Sequence, residues 1–172
     1  MGNQEQDNLS REGVKKQEGR KWYSLIDKMW AKPNLEEAFK EVKRNRGAAG
    51  IDRMTIKAFE SELEHHLEVL QQALKNKTYR PKPARRVYIP KADGTQRPLG
   101  IPTVRDRVVQ AAAKRILEPL FEAKFMDCSY GFRPERSAHM ALKKIRKDVE
   151  DGYRYVIDAD LKAYFDTIPH EK

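Results

Sequence analysis

Cysteine is nearly absent from this chain: Cys128 is the only one in 172 residues. With no internal partner it excludes a disulfide scaffold and fits a reducing compartment. Long apolar runs are missing too. No stretch approaches the roughly 18 residues that span a bilayer, and no signal-peptide core follows Met1. Secreted and membrane-spanning classes are therefore excluded at this stage, and a cytoplasmic location in a bacterium, or an organellar one in a eukaryote, is expected. Acidic residues are in the minority, 26 against 35 Lys and Arg, which leaves a net charge of +9. Histidines number only four, and the adjacent His65 and His66 have no partner cluster. They read as helix surface and core edge, not as ligands.

What is present is a chain long enough to bury a core, 39% hydrophobic and 35% charged. The basic excess is concentrated. Between Lys75 and Arg115 lie Lys75, Lys77, Arg80, Lys82, Arg85, Arg86, Lys91, Arg97, Arg105, Arg107, Lys114 and Arg115, opposed only by Asp93 and Asp106. The rest of the chain is close to neutral. A solvated face explains many charge runs, but this one interleaves Tyr79 and Tyr88 with its cations and carries the whole excess. It predicts a surface for phosphate.

Residues 1–20 are polar and aperiodic, and read as a flexible head. Trp22, Leu25, Ile26, Met29 and Trp30 recur at helical spacing up to Pro33. Asn34 is expected to cap a second helix striped by Leu35, Ala38, Phe39 and Val42. Arg44 to Gly50 follows, a segment whose two glycines predict tight turns. Thr55 is expected to cap one long third helix with Phe59, Leu63, His66, Leu67, Leu70 and Leu74 inward.

Beyond Pro81 and Pro83 the period changes to two. Arg86–Lys91 and Gln96–Ile101 alternate about an Ala92-Asp93-Gly94-Thr95 turn, which predicts an edge hairpin. Thr103 and Asp106 open a helix from Val104 to about Phe125, with Val108, Ala111, Ala112, Leu117, Leu120 and Phe121 inward and a kink at Pro119. Ser137 caps a further helix that ends near Gly152. Tyr153–Leu161 is the strongest strand pattern in the chain. On it Asp158 and Asp160 share one face, roughly 7 Å apart, because side chains alternate along a strand. Carboxylates at a strand end suit Mg²⁺, which takes one or two of them and completes its shell with water and phosphate oxygens. A pair of exposed or salt-bridged aspartates is the alternative, and Asp166 reads as the cap of a following helix.

Three ordered motifs then carry a resemblance. They are Lys91 to Gln110 (KADGTQRPLGIPTVRDRVVQ), Ser129-Tyr130-Gly131-Phe132-Arg133-Pro134, and Asp160-Leu161-Lys162-Ala163-Tyr164-Phe165-Asp166. Together they resemble the reverse transcriptases encoded by group II introns, and Arg46-Gly47-Ala48-Ala49-Gly50-Ile51-Asp52 is similar to a loop of their N-terminal extension. The resemblance covers about residues 34–172 and implies an α+β chain: the fingers and partial palm of a right-hand polymerase, mostly helical, with a β-hairpin and a first palm strand. It divides the chain into a helical N-terminal extension over 21–80 and fingers with the first palm strand over 81–172, cut off at Lys172.

By the same resemblance Asp160 is the catalytic, metal-binding aspartate for Mg²⁺. Lys91 and Arg97 reach the incoming triphosphate, Phe165 gates the sugar, and Ala163 and Tyr164 lie beside it in the nucleotide site. Arg44, Arg46, Gly47, Arg85 and Arg86 follow the RNA template, and Gly131, Phe132 and Arg133 shape the template pocket. The implied partners are intron RNA, an RNA template with a DNA primer, and dNTPs. The two-metal site would be completed by a Tyr-Ala-Asp-Asp hairpin beyond Lys172, so the 172 residues alone are expected to bind RNA without extending a primer. Faces left open by an incomplete palm predict a possible homodimer. Three alternatives stay open: a non-catalytic RNA-binding splicing cofactor (maturase), a reverse transcriptase of the retron or diversity-generating kind, and a metal-dependent nuclease or glycosyltransferase built on Asp-x-Asp.

Overall fold

In the computed structural model, residues 24–92, 94–161 and 164–169 are described, with the backbone alone for 165 and 166. In chain order they form α1 (Leu25–Met29), α2 (Lys32–Arg44), α3 (Ile56–Ser61), α4 (Leu63–Lys75), β1 (Arg85–Pro90), β2 (Gln96–Ile101), α5 (Val104–Glu122) and α6 (Ala138–Glu150). A 3₁₀ turn follows at Tyr164–Thr167. The chain divides into two compact units, one ending at Leu120 and the other beginning at Phe121. No helix among the described residues is long and apolar enough to cross a membrane.

The first unit is built on helical stripes. Leu35, Ala38, Phe39 and Val42 of α2 are all buried, as their i, i+3, i+4, i+7 spacing predicts. They meet Phe59 of α3, Leu67, Leu70 and Leu74 of α4, and Val104, Val108 and Ala112 of α5. Phe59 is the centre of an aromatic stack, with the Phe39 ring at 5.5 Å and the half-buried His66 ring at 4.6 Å. Thr55 caps α3 by accepting a hydrogen bond from the Ala58 N–H at 3.1 Å.

Several local expectations are corrected. The third helix is two helices, because Glu62 at φ −125°, ψ 36° leaves the helical region between α3 and α4. The second helix begins at Lys32, with Pro33 in its first turn where no N–H is needed. Asn34 is therefore inside the helix and does a different job. Its Nδ2 donates to the carbonyls of Met29 (3.0 Å) and Ala112 (3.1 Å), while its Oδ1 accepts from Arg115 Nε at 3.2 Å. One side chain thus joins α1 and α2 to α5. Helix α5 passes through Pro119 without breaking, and only its first half is buried: Leu117 and Phe121 are 41% and 54% exposed.

The hairpin pairs Arg85 with Ile101, Val87 with Leu99 and Ile89 with Arg97. It is the only sheet among the described residues. Tyr153–Leu161, expected as a palm strand, has no regular secondary structure and is in no ladder. Tyr155 and Ile157 are 98% and 94% exposed. An alternating pattern can favour a strand, but a strand exists only where a neighbour receives its N–H and C=O groups. Among the described residues no neighbouring strand does so. Asp166, expected as a helix cap, falls inside the 3₁₀ turn.

In the second unit Ser137 caps α6 by accepting from the Met140 N–H at 3.3 Å. The helix ends in a Schellman arrangement: Gly152, at φ 101°, donates to Val149 O, and Tyr153 donates to Asp148 O.

Candidate nucleic-acid interface

Hairpin register decides which cations act together. Side chains of paired and alternate residues share a face, so Arg85, Val87 and Ile89 stand with Ile101, Leu99 and Arg97. The ladder continues into the turn, where the Lys91 N–H donates to Thr95 O at 2.8 Å. Lys91 therefore falls on that same face, diagonal to Arg97, and both are exposed. Arg86 lies on the opposite face with Tyr88. The structure thus groups Lys91, Arg97 and Arg85 and separates Arg86 from them. Asp93 at the tip lies outside the described residues.

Both legs of the hairpin are anchored on one buried carboxylate. Asp106, 3% exposed, accepts from Tyr79 Oη and Thr103 Oγ1, each at 2.6 Å, and from the Lys82 N–H at 3.2 Å. The Asp106 N–H donates in turn to Thr103 Oγ1 at 3.1 Å, completing a capping box at the start of α5. Tyr79 and Lys82 precede β1 and Thr103 follows β2, so this cluster sets where the hairpin leaves the helices. Burial, and then the hydrogen bond to Asp106, push the Tyr79 phenol well above its ordinary pKa. The sequence reading found the Thr103–Asp106 box, but nothing local signalled that Tyr79 and Lys82 join it.

The loop after α2 is held from below. Arg107 Nη2 donates to Ala48 O at 2.8 Å, and its guanidinium lies so close that a Cβ on Gly47 would sit 2.2 Å from Nη1. A Cβ on Gly50 would sit 2.7 Å from Thr103 Cα and 2.8 Å from Thr103 N. Neither glycine has positive φ; Arg46, at φ 47°, takes the left-handed turn instead. Gly50 is required for close approach to the Thr103 backbone, whereas the neighbour at Gly47 is the movable end of the Arg107 side chain. Asp52 closes the loop by accepting from the Met54 N–H at 3.2 Å. Arg44 and Arg46 are left exposed on its outer side.

In the second unit Arg133 is engaged on several sides. Its Nε and Nη2 form a two-pronged ion pair with Glu122, the shortest contact 2.6 Å, and Nη1 donates to Met126 O and Ser129 O at 2.7 and 2.9 Å. Only 5% of the Arg133 side chain is exposed, and it lies over the Phe125 ring. It braces the Ser129–Pro134 loop. Phe132, at φ 55°, is fully exposed beside Gly131.

Arg133 holds the Glu122 carboxyl below its usual range through their hydrogen bond. A lowered carboxylate pKa gives stability that is present above the ordinary value of 4.5 and is lost as pH falls through the folded value. The Arg133 Nε–H resonance is therefore expected to stay protected from exchange near neutrality and to lose protection only once the pH has fallen below the ordinary carboxylate value. In Glu122→Gln that acid step should be gone. Protection that ignores pH in the parent chain would remove the ion pair from the account.

Asp158 and Asp160 occupy alternate positions on the exposed segment before the 3₁₀ turn. Among the described residues no group of three or more His, Cys, Asp or Glu could hold a metal ion. Asp160 can supply one carboxylate to Mg²⁺, whose remaining ligands are commonly water and phosphate. A two-metal centre needs further acids. Tyr164 is exposed within the 3₁₀ turn, whose backbone includes Phe165. Ala163 and Lys162 lie outside the described residues.

Known proteins bear on these features directly. Residues 89–172 match the family model for reverse transcriptase (RNA-dependent DNA polymerase). Protein YkfC of Escherichia coli K12 is 43% identical over 142 residues, 79% of this chain and 37% of that protein. Group II intron-encoded protein LtrA of Lactococcus lactis subsp. cremoris is 42% identical over 136 residues, 77% of this chain and 22% of LtrA. The mitochondrial nuclear intron maturase 2 of Arabidopsis thaliana is 40% identical over 62 residues, 36% of this chain and 8% of that protein. The chain spans well under half the length of these relatives. Because the stretch matched to the polymerase family holds most of the hairpin, the Ser129–Pro134 loop and Asp160, and 77% of the chain aligns with LtrA, the chain belongs to the group II intron-encoded reverse transcriptases and maturases.

Proposed function

We propose that this chain forms the N-terminal extension (21–80) and the fingers with the first palm segment (81–172) of an RNA-directed DNA polymerase that also grips intron RNA as a maturase. The observation that carries the reading is the shared exposed face of Lys91, Arg97 and Arg85, inside or beside the stretch that matches the polymerase family. Cations at that hairpin would offset charge on a triphosphate as pyrophosphate leaves. Asp160 would hold Mg²⁺, which when bound neutralises the same phosphates, and Phe165, with Ala163 and Tyr164, would sit beside the sugar of a dNTP. Arg44, Arg46 and Gly47 would follow RNA together with Arg86 on the hairpin's other face.

The splicing-cofactor role has its own support. The loop bearing Arg44 and Arg46 is held to α5 by the Arg107–Ala48 hydrogen bond and approaches Thr103 closely at Gly50. RNA binding by the 172-residue chain is expected to weaken by about 10²–10³ between 50 and 200 mM salt if roughly six phosphates are contacted. Arg44→Ala with Arg46→Ala should reduce the slope of log Kd against log salt by about 1.4. Lys91→Ala with Arg97→Ala should instead raise the dNTP KM of an extension-competent longer polypeptide, with RNA affinity little changed. A flat salt response, or identical behaviour of the two double variants, would overturn the assignment.

A further inference from the structure

The basic stretch from Lys75 to Arg115 holds two tyrosines, and the fold treats them differently. Tyr79 is committed: its hydroxyl donates to Asp106 at 2.6 Å, and the Arg105 guanidinium lies 5.1 Å over its ring. Tyr88 is not. It stands on β1 with 54% of its surface exposed. Among the described residues its ring meets no other ring or cation, and its hydroxyl has no hydrogen-bond partner.

The hairpin's bonding pattern sets what surrounds it. The Lys91 N–H bonds to Thr95 O, and neither Pro90 nor Pro98 has an N–H to give a partner. Alternation from there makes Ile89–Arg97 and Val87–Leu99 the hydrogen-bonded pairs. Pro90–Gln96, Tyr88–Pro98 and Arg86–Gly100 are then the pairs without such bonds, in which side chains come closest. All six lie on the face opposite Lys91 and Arg97. Tyr88 therefore stands directly across from Pro98, with Pro90 two positions ahead and Arg86 two positions behind, roughly 7 Å along the strand. Arg86 is exposed and forms no ion pair among the described residues.

The same pattern argues against a peptide strand as the occupant. In pairs without hydrogen bonds the backbone N–H points away from the partner strand, toward the outer edge. Pro90 on one strand and Pro98 on the other have none, so both outer edges are interrupted. An open aromatic face, an unpaired guanidinium beside it and interrupted edges fit an unpaired base and its phosphate instead.

We infer that Tyr88 is a stacking platform for one unpaired base of RNA, with Arg86 on the adjoining phosphate. The inference rests on the RNA-binding reading above and adds to it a contact that every base can make, since each has a π-face. It gives this side of the hairpin a preference for single strands, because bases in a duplex are already stacked on one another and splayed bases are free to stack on a side chain.

The test is binding of the 172-residue chain to fluorescein-labelled A12 RNA and to an RNA duplex of similar length, by anisotropy across a salt series, with a melting curve for each variant. Tyr88→Ala should weaken A12 binding roughly tenfold, in keeping with the loss of one base–aromatic stack, and leave the salt slope unaltered. Its affinity for the duplex should change less than about twofold. Tyr88→Leu keeps an apolar side chain without a ring and should lose as much as Tyr88→Ala; where alanine lowers the melting temperature, leucine carries the comparison. Tyr88→Trp should bind A12 as the parent chain does, and A12 should quench its added indole emission. Arg86→Ala should weaken both RNAs and lower the A12 slope by about 0.7. A loss below about twofold on A12, full binding by Tyr88→Leu, or equal losses on A12 and duplex overturn the platform while leaving RNA binding intact. No binding of A12 by the parent chain overturns the RNA reading, and the platform with it.

Discussion

Replacing Asp106 with alanine is expected to destabilise the first unit by about 3–5 kcal/mol, the largest stability loss anticipated in this chain. The carboxylate is 3% exposed and accepts three hydrogen bonds, from Tyr79 Oη, Thr103 Oγ1 and the Lys82 N–H. A charged acceptor makes each of these stronger than a neutral pair, roughly 1.5–3 kcal/mol, and alanine leaves the donors without it. Thr103 is itself fully buried, so water cannot readily replace the lost acceptor there. Asp106→Asn should fall between, because its amide would place a donor against at least one of the existing donors. The measurement is the urea midpoint at constant m-value. A loss below about 1 kcal/mol for Asp106→Ala would show that the cluster does not anchor the fold.

That cluster has a second consequence, at high pH. The raised Tyr79 pKa favours the neutral phenol in the folded state, so its contribution is full below the ordinary value of 10.0 and is lost as pH rises above it. Because Tyr79 and Lys82 precede the hairpin and Thr103 follows it, loosening Asp106 should also disturb Lys91 and Arg97, although neither touches it. Asp106 is a positioning residue for the hairpin.

Features set within one or two helical turns were readable from the sequence. The Leu35–Val42 stripe, the caps at Thr55 and Ser137, the Thr103–Asp106 box and the hairpin all depend on neighbours a few positions away. What escaped depends on residues far along the chain. Asn34 looks like a cap until Ala112, 78 positions on, supplies an acceptor. Gly47 and Gly50 look like turn residues until Arg107 and Thr103 fill the space where side chains would go. The ion pair of Arg133 with Glu122, 11 positions back, carried no signal in the sequence. The candidate site divides the same way. The resemblance singled out Lys91 and Arg97, and the hairpin register puts them on one face, whereas the strand character of Tyr153–Leu161 needed a partner that no periodicity can guarantee.

Asp160→Asn is expected to reduce primer extension by at least roughly 10³-fold in a longer polypeptide that carries this chain, while RNA affinity changes less than about twofold. Metal ligation needs an ionised oxygen of high charge density, and an amide of the same shape supplies a weaker, neutral one. The side chain stands on an exposed segment outside any helix or ladder, so the substitution should leave stability unchanged. Asp158→Asn provides the internal contrast. It lies two residues before Asp160 but outside the Asp160–Asp166 motif, so its effect should stay within about tenfold. Parallel melting curves would confirm that both variants fold alike. Equal losses from the two substitutions would point to a shared electrostatic role for the acidic pair. Near-normal extension by Asp160→Asn would remove this carboxylate from the chemistry and leave the cationic surfaces of the first unit as an RNA-binding device alone.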